Sequence, residues 1–452
     1  MKRLTFMDCF AGIGGFRMAL EQLGFVCVAS CEIDKHARKA YKAIYGGEEP
    51  FYGDIKDVDP RELPDFDLLT GGFPCQAFSV AGKRRGFEDT RGTLFFEIVR
   101  IAKEKRPKAI LLENVKGLVN HDKGRTLDIM IETLNEIGYI VDFDILNSKY
   151  FGVPQNRERI FIVAMRDDLI EQEEWSEETT KGNTIVRKRK RQINEWAKTF
   201  NFDWPEQDEV TTRLRDILEP EVDEKYYLSE EKTAKLIAQL NGNHEGETDK
   251  FLIDDQGRTT KELKPLDISP TLRREMHGNE PRVVEHQVPE WIPKPDEISR
   301  TLRSGGKASL SDKHNYDHVA VKAEGFSNQD MTGIDIVGHL SKFQNDRVFS
   351  DKGLSPTVSA SGGNSGGHGG GCLLTPLYRI RRLTPLECWR LQGFPDWAFD
   401  RAKSAGISDT QLYKQAGNAV TVNVIYEIGK RLVRYVFRRN THKSQNVKEA
   451  KV

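Results

Sequence analysis

The 452-residue sequence lacks several features that would assign it to common classes of protein. Its six cysteines contain no CxxC pair, so neither a disulfide framework nor a zinc site is predicted, and a reducing cytoplasm fits best. No apolar run reaches the roughly 18 residues of a transmembrane helix, and the start of the chain has no signal-peptide pattern. Neither sign of charge is in excess, because 68 basic and 69 acidic side chains leave a formal net charge of −1. Bulk charge therefore does not indicate a nucleic-acid-binding protein.

Positive charge is instead concentrated in two short runs. One lies at 187–191, and the other comprises Arg379, Arg381 and Arg382. Runs of this length are typical of solvated surfaces, and contact with phosphate is the less frequent alternative. Neither run by itself predicts a DNA-binding surface.

The first part of the chain alternates apolar strands with helical segments. The pattern predicts strands at 4–8, 26–32, 68–70, 109–113 and 160–163, and helices at 16–23, 35–45, 93–105 and 126–137. Such alternation favours an α/β domain with a doubly wound, Rossmann-like sheet. We predict a catalytic and cofactor-binding domain at 1–168, completed by about 411–438, where 419–437 has the pattern of an amphipathic helix.

The middle of the chain has a different composition. Periodicity fades between 169 and about 410, while charge, glycine, serine, proline and asparagine become frequent. The extreme is 361–371, where seven of eleven residues are glycine. We predict a smaller, irregular and mainly β domain here, with its core at about 338–375, and a flexible tail at 439–452.

A short pattern recurs within this middle region. It reads ISPTLR at 268–273, ISRTLR at 298–303 and LSPTV at 354–358. The spacing is irregular, so both true repetition and chance resemblance among strand–turn units remain open.

A glycine-rich segment, DCFAGIGG at 8–15, lies where the first predicted strand meets its helix. Glycines there let a ligand approach the backbone and leave helix N–H groups free. Glu32 closes the second strand, where a carboxylate usually holds ribose hydroxyls. A dinucleotide enzyme would use the same device, but the full G-x-G-x-x-G spacing is missing because residue 17 is not glycine.

Reactive side chains follow the later strands. Cys75 lies in a tight turn, GGFPCQ, directly after an apolar strand, so its thiol is either a nucleophile or a small side chain chosen for packing. Glu113 emerges at the carboxyl edge of another strand, where open α/β sheets bind ligands. Arg157 and Arg159 alternate at strand spacing and can point to one face, with surface ion pairs as the alternative.

In this order and spacing, the motifs resemble those of the DNA cytosine-5 methyltransferases, and closely those of the bacterial restriction–modification enzymes. The resemblance covers residues 4 to about 168 and 379–437. It includes the segment that begins with RLTP at 382–385 and ends with GFP at 393–395, and the motif QAGNAV at 415–420. It implies an S-adenosyl-L-methionine-dependent methyltransferase domain plus a smaller target-recognition domain, with double-stranded DNA as the substrate.

The resemblance also implies which residues line the cofactor pocket. They are Asp8, Phe10, Ala11, Gly12, Gly14, Gly15, Glu32, Ile33, Asp54, Ile55, Pro74, Leu94, Asn418 and Val420. The implied cofactor is S-adenosyl-L-methionine rather than NAD.

The implied catalytic residues are Cys75, Glu113, Arg157 and Arg159. Carbon 5 of cytosine is too weak a nucleophile to take a methyl group unaided, and attack by the Cys75 thiolate at carbon 6 would activate it. Glu113 would hydrogen-bond ring N3 and the exocyclic amine, Arg159 would contact O2, and Arg157 would brace the cysteine loop. Since a cytosine within a duplex is out of reach, the base must be flipped out. No residue is identified as the base that removes the proton from carbon 5.

Target recognition in the family lies in the variable region, whose core here most resembles 354–371. The residues predicted to contact DNA, from a loop closing over the base and from this core, are Gln76, Ser79, Lys83, Arg84, Arg85, Thr357, Gly362 and Gly363. The earlier copies of the recurring pattern are either extra recognition modules or scaffold strands. One dominant target site is expected, and a second specificity stays open.

Rival functions share parts of this pattern. A tRNA cytosine-5 methyltransferase shares the catalytic half but has a compact middle region, and a catalytically silent DNA-binding protein would not need Cys75, Glu113 and Arg159. If the chain were an NAD-dependent dehydrogenase, the Pro-Cys-Gln motif at 74–76 would have no role. The sequence therefore predicts a monomeric cytoplasmic enzyme that methylates double-stranded DNA, with no membrane or metal, and protects it from a cognate restriction endonuclease.

Overall fold

The computed structural model describes residues 3–74, 94–175, 184–229, 250–253, 269–272, 282–286, 328–329, 335–339, 347–349 and 378–437. The chain divides into two compact units. The first unit consists of Met1–Pro220, Asp267–Glu280 and Thr384–Val452, and the second consists of Glu221–Leu266 and Pro281–Leu383. These bounds differ from the predicted domains, because 169–220, 267–280 and 384–410 belong to the first unit.

A seven-stranded sheet forms the centre of the first unit. The strands of this unit up to residue 166 are β1 Thr5–Cys9, β2 Val26–Cys31, β3 Phe51–Tyr52, β4 Leu68–Gly72, β5 Ala109–Val115, β6 Tyr139–Asn147, β7 Gln155–Asn156 and β8 Glu158–Arg166. The order in the sheet is β3-β2-β1-β4-β5-β8-β6. The first five strands are parallel, and β8 runs antiparallel between β5 and β6. This arrangement confirms the predicted doubly wound α/β fold.

Helices alternate with these strands and return at the end of the chain. They are α1 Gly15–Gln22, α2 Lys35–Tyr45, α3 Leu94–Lys105, α4 Arg125–Glu136, α5 Thr184–Asn194, α6 Pro385–Arg390, α7 Asp396–Ser404, α8 Asp409–Asn418 and α9 Val422–Phe437. The C-terminal helices complete the first unit, since α9 packs against α1 and α7 packs against α2. None of the described helices is both long and apolar enough to cross a membrane.

The basic run at 187–191 is not simply a solvated face, so that expectation is wrong for two of its members. Arg189 and Lys190 lie on the buried face of α5 together with apolar side chains. The Lys190 ammonium lies 2.6 Å from a carboxylate oxygen of Asp142, and both side chains are 2% exposed. Arg189 pairs with Asp128 and donates to the Gly124 carbonyl. These two cations therefore hold α5 to the sheet and to α4.

The described elements of the second unit are mainly strands. Three of them, β9 Lys250–Ile253, β11 Arg282–His286 and β15 Tyr378–Arg382, form an antiparallel sheet in the order β15-β11-β9. Three others, β12 Asn328–Gln329, β13 Asp335–His339 and β14 Arg347–Phe349, form another. The second basic cluster falls on β15. Arg381 is fully buried there, while the Arg379 guanidinium lies 3.6 Å from the ring centroid of Tyr227, so the cluster is not a uniformly solvated face.

Candidate active site

A cavity of about 770 Å³ opens at the carboxyl ends of β1, β2, β4 and β5. Phe10, Glu32, Phe73 and Glu113 follow or close these four strands and line it. Open α/β sheets bind their ligands at this edge, and the volume lies within the roughly 300–1,000 Å³ of small-molecule sites. The cavity is therefore the candidate active site.

The loop after β1 is held in a conformation that few residues adopt. Phe10, Gly12 and Gly14 all have positive φ angles, of 57°, 57° and 81°. A Cβ on Gly14 would lie only 2.5 Å from the ring of Tyr45, whose hydroxyl donates to the Gly14 carbonyl at 2.8 Å. Both the backbone angle and this close approach require glycine at position 14. The loop is thereby fixed at the edge of the cavity.

Glu32 ties this loop to the end of β2. One carboxylate oxygen accepts from the Gly12 N–H at 2.8 Å, and the other accepts from the Asp34 N–H at 2.8 Å. Each oxygen keeps a lone pair for a ligand hydroxyl. Ile33 beside it lines the cavity and is 67% exposed, which leaves an apolar side chain open to a ligand.

The structure divides the predicted cofactor residues into two groups. Those that line the cavity are Phe10, Gly12, Glu32, Ile33, Asp54, Ile55, Pro74, Leu94 and Asn418. The others, Asp8, Ala11, Gly14, Gly15 and Val420, do not line it. Gly15 packs so closely on Val420 that an added Cβ would lie 2.6 Å from the Val420 carbonyl oxygen. Gly15 and Val420 therefore contact each other beside the loop rather than forming the cavity wall.

Asp8 is fully buried beneath the loop. One of its carboxylate oxygens accepts from the Thr70 hydroxyl at 3.0 Å. Burial raises the pKa of Asp8 to about 7, and the Thr70 hydrogen bond only partly opposes this effect. Its position makes it a supporting side chain rather than a wall of the cavity.

Two groups of opposite charge meet at one side of the cavity. Nε of Arg159 lies 3.0 Å from Oε1 of Glu113, and both side chains are largely buried. The residues come from neighbouring antiparallel strands, in which Val115 is paired with Arg159. A fixed carboxyl next to a fixed guanidinium can bind the amide-like edge of a heterocyclic base.

Asn114 is a residue whose contribution the sequence did not predict. Its side-chain amide donates to the Phe73 carbonyl at 2.9 Å, and the residue is buried. Phe73 lies two positions before Cys75, so Asn114 anchors the end of the segment that leads to the cysteine. The motif Glu113-Asn114-Val115 was visible in the sequence, but this long-range contact was not.

Arg157 is 3% exposed and donates to backbone carbonyls. Its guanidinium contacts the carbonyl oxygens of Ala419 at 2.8 Å and of Gly417 and Leu272 at 3.4 Å. Burial, together with the smaller effect of the nearby charge of Arg159, lowers the pKa of Arg157 to about 9. In the described residues Arg157 braces the end of α8, whereas the predicted contact with the cysteine loop stays a prediction.

Nine predicted residues lie outside the described ranges. They are Cys75, Gln76, Ser79, Lys83, Arg84, Arg85, Thr357, Gly362 and Gly363. Pro74, the residue before Cys75, is described and lines the cavity.

The first copy of the recurring pattern forms part of the cavity wall. A short strand, β10 Ser269–Pro270, pairs in parallel with β7, and the Thr271 hydroxyl donates to the Asn156 carbonyl at 2.7 Å. Thr271 and Leu272 line the cavity and belong to the first unit. The other two copies lie outside the described residues. This copy is therefore attached to the catalytic unit.

Helix α8 supplies another wall. Lys414, Gln415, Gly417 and Asn418 line the cavity, and the Lys414 ammonium lies 2.6 Å from Oδ2 of Asp34. The side-chain amide of Gln415 is buried and has no hydrogen-bond partner among the described residues. Among all the residues that the structure describes, no group of three or more His, Cys, Asp or Glu side chains is arranged to hold a metal ion.

Comparisons with known proteins identify the family of the chain. A profile of the family described as C-5 cytosine-specific DNA methylase matches residues 4–434. The chain is 41% identical to the orphan methyltransferase M.SPRI of Bacillus phage SPR, with 96% of this chain and 98% of that protein covered. It is 33% identical to the type II methyltransferase M.HhaI of Haemophilus parahaemolyticus, with 95% of each covered.

The fold is also found among solved structures. A mutant of DNMT2 from Spodoptera frugiperda matches with a TM-score of 0.52 at 20% identity, covering 96% of this chain and 100% of that one. The predicted family resemblance is confirmed. The chain belongs to the C-5 cytosine-specific DNA methylase family and is an S-adenosyl-L-methionine-dependent DNA cytosine-5 methyltransferase.

Proposed function

We propose that the enzyme methylates carbon 5 of a flipped-out cytosine in a specific duplex sequence, through a covalent bond between Cys75 and carbon 6. The observation that carries the proposal is the Glu113–Arg159 pair, with Nε and Oε1 3.0 Å apart at a cavity that Pro74 also lines. Chain connectivity brings Cys75 directly after Pro74. The adjacency of Cys75 to Pro74 in the sequence supports a single site that combines a nucleophile, an acid and a cation.

The cavity residues fit the cofactor. Glu32 and Asp54 offer carboxylate oxygens to hydroxyl and amine groups of an adenosine, and Ile33 offers an exposed apolar surface. The side-chain amide of Gln415, which has no hydrogen-bond partner among the described residues, is a further polar group at the wall. When bound, S-adenosyl-L-methionine supplies a methyl group made electrophilic by its sulfonium sulfur.

The chain's own residues account for activation of the base. As the Cys75 thiolate adds to carbon 6, negative charge develops on O2 and N3 of the ring. Arg159 donates to O2, and Glu113, after taking up a proton from solvent, donates it to N3 while its other oxygen accepts from the exocyclic amine. Carbon 5 would then displace the sulfonium sulfur at the methyl carbon, and S-adenosylhomocysteine would be the leaving group. A base would take the proton from carbon 5, and the electron pair of that bond would expel the Cys75 thiolate from carbon 6.

We propose that the variable region selects the DNA target sequence, through a recognition core at about 338–375 that includes Thr357, Gly362 and Gly363. A separate loop is proposed to close over the flipped base, and its DNA-contacting residues are Gln76, Ser79, Lys83, Arg84 and Arg85. The mainly β character of the second unit supports a separate recognition module. Methylation mapping of Thr301→Ala and Thr357→Ala tests a single target: if one motif is lost while another is kept, the single-target proposal is wrong.

We further propose that the enzyme acts as a monomer in the cytoplasm. Relatives carry both the names orphan methyltransferase and type II methyltransferase, so protection from a cognate restriction endonuclease is proposed only for a host that encodes one. Sedimentation of the protein with and without duplex DNA measures its mass and so tests whether it is monomeric.

Methyl transfer itself provides the test of substrate. Purified enzyme is incubated with S-adenosyl-L-methionine labelled in the methyl group and with either duplex DNA or tRNA. We expect 5-methylcytosine in the DNA and no label in the tRNA. Label in tRNA alone would make the enzyme a tRNA methyltransferase, and label in neither would contradict catalysis.

A further inference from the structure

Lys414 and Asp34 form an ion pair inside the cofactor cavity, although 380 positions separate them. The Lys414 ammonium lies 2.6 Å from Oδ2 of Asp34, and the two side chains are 29% and 28% exposed. Both residues line the cavity. The pair therefore joins helix α8, near the end of the chain, to the segment that follows β2.

Asp34 has two further contacts that make it a rigid partner. Its Oδ1 accepts from the N–H groups of His36 and Ala37 at 2.8 and 3.1 Å, which caps α2. Its own N–H donates to Glu32, whose other oxygen accepts from Gly12. Although burial opposes it, the hydrogen bond from Lys414 together with those from the two amides keeps the pKa of Asp34 below its usual value. The carboxylate is thus charged and fixed.

Helix α8 is held at a second point as well. The Arg157 guanidinium binds the carbonyls of Gly417 and Ala419 at the end of the helix. Between the two attachments, Gln415, Gly417 and Asn418 face the cavity. Cationic groups near the carboxyl end of a helix also interact favourably with its dipole.

We propose that the Lys414–Asp34 pair is a clasp that holds α8 against the cofactor half of the cavity and thereby raises the affinity for S-adenosyl-L-methionine. Lys414 is a positioning residue in this role and takes no part in methyl transfer. The inference depends on the family assignment for the identity of the cofactor, but not on the covalent mechanism.

The test separates the clasp from the fold and from the chemistry. Asp34→Asn keeps an oxygen to cap α2 but removes the charge, since asparagine caps helices as well as aspartate does. Lys414→Met removes the cation and keeps the stem, and Lys414→Arg restores a cation. Lys430→Met is the matched control, because Lys430 pairs with Glu427 at 2.8 Å on α9 and does not line the cavity.

Binding is measured by calorimetry with S-adenosyl-L-methionine and with S-adenosylhomocysteine, which cannot react. We expect Lys414→Met and Asp34→Asn each to weaken both ligands about threefold to tenfold, as for loss of a partly buried pair. The double variant should be no weaker than the weaker single one, and Lys414→Arg should bind like the wild type. Amide hydrogen exchange in 409–418 should be faster without ligand in both single variants, and the KM for cofactor should change more than kcat.

Three results would overturn the clasp. Unchanged affinity in both single variants would leave the pair without a role in binding. An effect of Lys414→Met with none of Asp34→Asn would mean that the lysine contacts the cofactor directly. Weakening by Lys430→Met of the same size would reduce the effect to general destabilisation. Methylation of duplex DNA by the wild type, measured alongside, keeps a failure of the clasp distinct from a failure of the proposed function.

Discussion

Arg159 holds Glu113 through an ion pair of 3.0 Å between Nε and Oε1, and the two residues come from neighbouring antiparallel strands of the central sheet. The strand pairing fixes both backbones, so the relative position of carboxyl and guanidinium does not depend on a loop. This is the kind of rigid support that binding the edge of a flipped base requires.

Glu113→Gln is expected to lower kcat by about 10²- to 10⁴-fold, because the amide cannot transfer a proton to N3 of the ring. Single-turnover methylation at saturating cofactor and DNA measures the change. Glu158→Gln is the control, since Glu158, at the start of β8, pairs at 2.8 Å with Lys116, the residue after β5, and does not line the cavity. Equal rates for the two variants would contradict the role of Glu113.

Arg157→Met is expected to lower the free energy of unfolding by about 3 kcal/mol, because it leaves buried carbonyls without a donor. Urea denaturation measures the loss. Arg166→Gln serves as comparison, since Arg166 pairs with the half-exposed Asp168 at 2.8 Å and its loss should cost under about 1 kcal/mol. If the two variants are equally stable, Arg157 does not brace α8.

Lys190→Met tests the structural account of the basic run. It is expected to lower the free energy of unfolding by about 3–5 kcal/mol, because Asp142 stays buried without its cation. The salt dependence of DNA binding should stay that of the wild type, since a buried ammonium releases no counterion from DNA. Lys188→Met, an exposed neighbour on α5, should leave stability nearly unchanged. A smaller salt slope with unchanged stability would make Lys190 a phosphate contact instead.

Asp8 predicts a pH dependence of stability. Burial raises its pKa to about 7 from 3.8, so the folded state holds a proton that the unfolded chain has lost. This contribution is complete below about pH 4 and is lost as the pH rises towards 7, amounting to about 4 kcal/mol. Asp8→Asn keeps an acceptor for Thr70 without a charge.

The stability difference between Asp8→Asn and the wild type should therefore grow in favour of the variant from pH 4 to 7. Denaturation midpoints across this range measure it. A difference that is constant with pH would show that folding does not raise the pKa of Asp8.

The sequence was sufficient to predict those elements and site positions that depend on local patterns. The apolar period and flanking residues predicted α2 at 35–45, where the structure has Lys35–Tyr45. Strand ends also placed Glu32 and Glu113 at one edge of the sheet. By contrast, β6 was missed because Asp142 and Asp144 interrupt its apolar run. The buried Asp142 carboxylate is compensated by distant groups, namely the Lys190 ammonium and the N–H groups of Phe202 and of the Trp204 indole.

Contacts between distant segments produce the features of the fold and site that the sequence did not predict. The pairing of β10 with β7 brings Thr271 and Leu272 to the cavity, and no periodicity in the sequence announces it. The Lys414–Asp34 pair joins residues from opposite ends of the chain. Such contacts depend on the whole fold rather than on local pattern.

Covalent activation of cytosine by Cys75 can be tested by trapping the enzyme on DNA that contains 5-fluorocytosine. Fluorine at carbon 5 cannot leave as a proton does, so a duplex carrying this base in the target sequence should remain attached after methyl transfer. We expect a denaturant-stable adduct whose mass maps to the peptide containing Cys75, and no adduct with Cys75→Ser. An adduct on another residue, or active methylation without any adduct, would contradict the account.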